Sequence, residues 1–198
     1  GWTGWEGPYA GVYGALPLNS RLTVSPGASL QPYISGDYRT SVSGGGGGAI
    51  TGFNFQSGSL VYGAEADLGF VRLSAKEGAS IGSLTAGARI ATSYMGTARA
   101  RIGFASGRLL AYATGGLSVT TLKGEAFAYV SGTNVFAYRN SQTVAGLALG
   151  AGLEYALTDR LNARGEYIYS AFEKATYSDA VNAKLNVGLA RMAIVSKF

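Results

Sequence analysis

Lys184–Phe198 reads KLNVGLARMAIVSKF. Taken two residues at a time, it puts Ala190, Met192, Ile194 and Phe198 on one face and Leu189, Arg191, Val195 and Lys197 on the other. A β-strand turns successive side chains to opposite sides, so the two cations share a face opposite an apolar one. This is the pattern of a long two-faced strand, closing on Phe198. It predicts a barrel sealed by pairing of this last strand with the first.

Composition agrees with a wall that shows water few charges. The 198 residues fit one domain, 1–198, and only 14% of them are charged, against about 25% in soluble domains. Yet no stretch approaches the ~20 apolar residues of a membrane helix. Long uncharged runs, such as Leu109–Leu122, are studded with Gly and Thr. Low charge without a spanning helix suits a membrane barrel, whose lipid face shows only every second residue. The sequence opens at Gly1-Trp2 rather than Met, which is consistent with a processed mature form. The 16 Lys and Arg exceed the 11 Asp and Glu modestly, a balance that favours anionic lipid or lipopolysaccharide phosphates. These cations form no basic tract and no nucleic-acid module, so no nucleic-acid partner is expected.

The first strand candidate is Trp5–Leu16, and Trp2 and Trp5 near its start suit a membrane–water interface. Tyr9, Tyr155, Tyr167 and Tyr169 are assigned to the same interface. Pro17–Ser43, with three prolines, reads as a long loop. The glycine run Gly44–Gly48 precedes Ala49–Gln56, where Phe53 and Phe55 alternate with Asn54 and Gln56. A phosphate cradle is not indicated, because no Lys-Ser/Thr follows and the next element is a strand. After the tight turn Ser57-Gly58-Ser59, Leu60–Arg72 alternates again, with Glu65 and Asp67 opposite Tyr62, Leu68 and Phe70. Leu73–Thr92 reads as a second long irregular stretch. Ser93–Ala105 sets Thr97, Arg99 and Arg101 against Tyr94, Ile102 and Phe104. A short turn leads to Leu109–Thr121, and a third long connection spans Leu122–Asn140. Thr143–Ala156 and Arg160–Phe172 flank the tight turn Leu157-Thr158-Asp159.

About eight strands therefore alternate between long and very short connections. The expected fold is all-β: an eight-stranded antiparallel up-and-down transmembrane barrel with long extracellular loops and short periplasmic turns. Both termini would lie on the periplasmic side. A soluble eight-stranded barrel would be apolar inside and polar outside. Here Glu65, Asp67, Arg99, Arg101, Glu154, Arg164, Glu166 and Arg191 occupy the face opposite the aromatic residues. Eight strands leave an interior just wide enough for side chains, so these charges are expected to pair inside while the apolar face meets lipid.

Several segments resemble the α-proteobacterial outer-membrane immunogenic protein family of small porin-family β-barrels. They are Trp5–Gly11, Val61–Asp67, Gly96–Gly103, Leu110–Leu117 and Gly150–Thr158, in order along nearly every strand. The departures are Pro8 in the first strand and the loop sequences. The resemblance implies location in the bacterial outer membrane. It also implies that Phe198 marks the strand recognised by the outer-membrane assembly machinery.

Histidine and cysteine are absent, which removes His-dependent triads, thiolate nucleophiles and disulfides. Glu65 and Asp67 lie two apart on one face, but with Arg99 and Arg101 on the next strand they suit an ion-pair ladder rather than a catalytic dyad. No enzyme activity, metal or cofactor is expected. The leading expectation is a structural, surface-interacting barrel presenting loops to lipid, another envelope component or a host protein. The alternative is a narrow pore for ions or small solutes. A third reading is a ligand receptor; haem would need a tyrosine such as Tyr33, Tyr38, Tyr129, Tyr138 or Tyr177.

Overall fold

A computed structural model describes residues 4–18, 21–26, 38–41, 43–81, 84–131, 133–178 and 181–198. Among these, every regular element is a strand: β1 (Gly7–Pro17), β2 (Arg21–Pro26), β3 (Tyr38–Ser41), β4 (Ser43–Ser57), β5 (Leu60–Ile81), β6 (Leu84–Ser106), β7 (Leu109–Val130), β8 (Thr133–Ala156), β9 (Leu161–Ser178) and β10 (Val181–Lys197). Strands β4 to β10 pair antiparallel in chain order, and β1 sits between β4 and β10. The closing ladder runs from Tyr9↔Lys197 to Pro17↔Leu189. Eight strands thus close the barrel, as the alternating faces of Lys184–Phe198 predict. The remaining two, β2 and β3, form a hairpin that continues along the upper part of β10 from Asn186↔Arg21 to Val181↔Pro26.

Short turns gather at one end. Gly58-Ser59 joins β4 to β5 and Gly107-Arg108 joins β6 to β7, each with its glycine at positive φ (60° and 59°). A left-handed first residue, which only glycine adopts cheaply, gives the two-residue hairpin turn whose twist matches the strands. At the third turn Thr158 Oγ1 accepts hydrogen bonds from the Leu161 and Arg160 amides at 2.9 and 3.3 Å. Gly4 and Phe198 lie at this same end.

The opposite end differs from the sequence expectation in form. Leu73–Thr92 and Leu122–Asn140 are not irregular loops. They continue β5 and β6, and β7 and β8, as paired ladders out to Ile81↔Leu84 and Val130↔Thr133. Part of Pro17–Ser43 is likewise strand, in β2 and β3. β8 has 24 residues, more than twice the 9–11 that a membrane-spanning strand needs. Apolar and polar residues mix on both parities of these segments, so no alternation announces a strand, and cross-strand pairing settles it instead. The glycine run Gly44–Gly48 is also part of a strand, β4, paired with β1 and β5.

The wall is apolar outside. Val12, Leu68, Leu117, Leu147, Leu149 and Ile194 are among its exposed large residues. Aromatic residues concentrate at two heights. Phe53, Phe55 and Tyr62 cluster near the short turns, with ring centroids 4.8 and 5.6 Å apart. Phe70 and Tyr94 pair higher up at 4.8 Å. Eight residues separate Tyr62 from Phe70, about 26 Å along the strand. With a ~40° tilt that is about 20 Å of height, close to the apolar band of an outer-membrane barrel.

Candidate functional site

The interior charges come together because strand register places them abreast. Glu65 is the direct partner of Arg99, Glu154 of Arg164, and Glu166 of Arg191. Directly opposed residues share a face, and inside a closed eight-stranded wall the inward faces converge on one axis. All eight residues expected in this network are buried.

Glu65 is the hub. Its Oε1 accepts from Arg99 Nη2 at 2.5 Å, and its Oε2 accepts from Arg164 Nη1 at 2.6 Å and Tyr9 Oη at 2.6 Å. Arg101 reaches Glu65 more loosely, at 3.7 Å. Below the hub, Glu154 accepts from Arg101 Nη2 at 2.5 Å, Arg164 Nε at 3.0 Å and Asn162 Nδ2 at 2.9 Å. Above it, Asp67 Oδ2 accepts from Thr97 Oγ1, Arg99 Nη2 and Arg191 Nη1 at 2.5, 3.2 and 3.1 Å. Glu166 completes the set, accepting from Tyr112 Oη at 2.9 Å and lying 3.6 Å from both Arg99 and Arg191. Four carboxylates thus face four guanidinium groups, and the network carries no net charge. Its side chains have at most 2% exposure. Burying one such ion alone costs several kcal/mol, so balance and multiple hydrogen bonding are what make the arrangement tenable.

Three tyrosines belong to this interior, and one corrects the sequence reading. Tyr9, expected at the membrane interface, is 2% exposed and bound to Glu65. Tyr13 lies under Arg191, with Cζ 3.6 Å from the ring centroid, and Tyr112 under Arg101 at 4.0 Å. Such stacking gives a desolvated cation a further favourable contact. Room for these rings comes from glycines: a Cβ on Gly52 would lie 2.4 Å from Tyr9 Oη, and one on Gly69 would lie 2.4 Å from Tyr13 Oη. The signal was present in parity, since Tyr9 and Tyr13 alternate with the outward Val12 and Leu16.

Trp5 is the second correction. It is 1% exposed and packs with Val61, Leu110, Tyr112 and Ala156 across the short-turn mouth of the barrel. Its indole Nε1 donates to the Gly107 carbonyl at 3.2 Å. Asn54 Nδ2 donates to the Trp5 carbonyl at 3.3 Å, and Lys197 Nζ donates to the Gly4 carbonyl. An indole with its one donor satisfied is as stable in an apolar plug as at an interface, and the chain before β1 folds back to place it there. Tyr155, Tyr167 and Tyr169 do face outward; Trp2 lies outside the described residues, as do Tyr33 and the side chains of Tyr38, Tyr129, Tyr138 and Tyr177. Phe198 is 81% exposed, its amide donating to the Pro8 carbonyl at 3.2 Å.

An apolar layer also closes the interior above the charges, which sequence reasoning missed. Ile50, Val71, Met95, Val144, Phe172 and Val187 are buried together there. The axis of the barrel therefore passes from an apolar plug, through a neutral ion network, to a second apolar layer. All four carboxylates are engaged by guanidinium groups between these layers, so none is open to a dissolved substrate.

Residues 9–192 match the outer membrane protein beta-barrel domain. The chain belongs to this family. It is 32% identical over 171 residues to the 31 kDa outer-membrane immunogenic protein of Brucella melitensis, covering 83% of this chain and 71% of that protein. It is 30% identical over 197 residues to the 25 kDa outer-membrane immunogenic protein of Brucella canis, covering 98% and 79% respectively. These relatives confirm the resemblance read from Val61–Asp67, Gly96–Gly103 and the other segments, and place this member of the barrel family in the bacterial outer membrane. The outer membrane protease OmpT of Escherichia coli superposes with a TM-score of 0.60 at 8% identity, covering 96% of each chain. That likeness is one of fold alone.

Proposed function

We propose that this barrel is a structural and surface-interacting component of the outer membrane, closed to solutes. It anchors through its apolar wall and presents the long hairpins β5–β6 and β7–β8 and the β2–β3 hairpin beyond the membrane. In this reading the short-turn end, with both termini, faces the periplasm. The observation that carries it is the layered interior: the ion network is held between the Trp5 plug and the Val71–Phe172 layer, with side chains filling the axis. Liposomes containing the folded protein should swell in isosmotic sugar or amino-acid solutions no faster than protein-free liposomes. Rapid swelling would favour a pore.

One observation favours the narrow-pore alternative. Arg101 Nε, Arg164 Nη2 and Arg191 Nη2 are buried without a protein hydrogen-bond partner, and such groups recruit internal water. Water held between two apolar layers hydrates the network without forming a continuous path, so the closed reading is preferred.

The exposed Phe198, which follows β10, is assigned to biogenesis: it is available to the assembly machinery before β10 meets β1. Deleting it should leave unfolded protein in the periplasm, whereas undiminished insertion would remove this role.

A further inference from the structure

The apolar outer wall is not evenly filled. On β9 the outward positions run Leu161, Ala163, Gly165 and Tyr167, and the middle two are small. Strand register sets Tyr155 and Leu153 of β8 beside Ala163 and Gly165 on one flank, and Ile194 and Met192 of β10 beside them on the other. All four flanking side chains are exposed, Met192 to 78%, and a Cβ added to Gly165 would meet nothing within 4 Å. A furrow therefore runs along β9, part of a hollow of about 500 Å³ on this side of the barrel. Tyr167 ends it above, with its Oη donating to the Leu18 carbonyl at 3.4 Å. Below, it opens at the short turns beside Arg108 and Arg160, both exposed. Arg108 Nη1 donates to the Ala156 carbonyl at 3.1 Å, and its Nη2 lies 3.7 Å from Asp159. Arg160 immediately precedes Leu161 at the foot of the furrow. Two guanidinium groups and one carboxylate leave a single positive charge at this mouth.

We infer that this furrow seats an acyl chain of one anionic phospholipid from the leaflet at the short-turn end, with the phosphate held at Arg160 and Arg108. A void in the wall forfeits dispersion contacts along its lining. The wall around it meets hydrocarbon, so a chain is the filling that continues the lipid interface. Depth fits one leaflet. Leu161 to Tyr167 is six residues, about 20 Å along the strand and about 15 Å vertically at a ~40° tilt. That is half of a hydrocarbon core roughly 30 Å thick. A second copy of the barrel fits less well. Its convex wall cannot follow a narrow floor of Ala and Gly as a flexible chain can, and it would bring another positive mouth beside the first. The mouth also selects the headgroup. A phosphodiester with one negative charge and no amine balances it, whereas a zwitterionic headgroup would set its ammonium near Arg160 with Asp159 already engaged by Arg108.

In the proposed orientation of the barrel this leaflet is the periplasmic one, but the site itself depends neither on orientation nor on closure. The test uses the full folded chain in neutral detergent, where neither enters. Delipidated protein is titrated with phosphatidylglycerol or with phosphatidylethanolamine of the same chains, and native mass spectrometry reads the adducts. One phosphatidylglycerol should be retained, bound about fivefold more tightly than phosphatidylethanolamine, the effect of one basic residue at an anionic headgroup. Arg160→Gln should remove that preference, and Arg160→Lys should keep it. Ala163→Leu combined with Gly165→Leu fills the furrow and should abolish the adduct of either lipid. Heat-modifiable gel mobility checks that each variant is folded, and Arg160→Gln, at an exposed turn, keeps the test open if the filled barrel does not fold. Equal affinity for the two lipids, an Arg160→Gln variant that keeps the preference, an undiminished adduct on the filled furrow, or a lipid-free dimer that the filling substitutions dissociate would each overturn the assignment.

Discussion

Arg99 Nη2 lies 2.5 Å from Glu65 Oε1, and the two residues are direct partners on β5 and β6 with no side-chain exposure. The pair is the centre of a neutral network, so removing either member leaves its partner charged and dry.

Arg99→Ala and Glu65→Ala should therefore each destabilise the folded barrel by about 3–5 kcal/mol, read as a lower midpoint of heat or urea unfolding in detergent. The double variant should lose less than the sum of the two, because it buries no lone charge at this rung. Unchanged unfolding of both single variants would remove the network from the stability of the fold.

Trp5 should behave as an interior residue. In a Trp2→Phe background, bromine-labelled acyl chains should leave its fluorescence unquenched, whereas strong quenching would return it to the lipid interface. Trp5→Ala should cost about 3–5 kcal/mol by emptying the lower plug.

Glycines on the two faces should respond unequally. Gly69→Ala sets a methyl group 2.4 Å from Tyr13 Oη and 2.6 Å from the Gly47 carbonyl, and should destabilise the barrel by about 1–3 kcal/mol. Gly14, where an added Cβ meets nothing within 4 Å, should accept Ala with little change. Equal unfolding midpoints for the two variants would contradict the tyrosine packing.

Parity explains how much of this was legible in advance. Wherever an inward Glu or Arg alternates with an outward Leu or Phe, as in Leu60–Arg72 and Ser93–Ala105, the sequence fixes the face of every residue, and the eight interior charges follow. Aromatic residues carry no such sign. Tyr9 and Trp5 suit either an interface or a packed interior, and only the glycine bays and the fold-back before β1 decide between them. The long hairpins escape notice for a related reason: above the membrane neither face of Leu73–Thr92 or Leu122–Asn140 must be apolar, so the period-two signal fades although the ladder continues. The upper apolar layer is contributed singly by separate strands, with Val71, Met95, Val144 and Phe172 each on a different one. No local window contains it.

Closure of the interior is most directly tested by single-channel recording from the purified, folded protein in a planar bilayer. With insertion verified, the bilayer should stay silent across physiological voltages. Discrete, reproducible conductance steps that vanish on unfolding would contradict the closed barrel and make Glu65, Arg99 and their partners the lining of a pore.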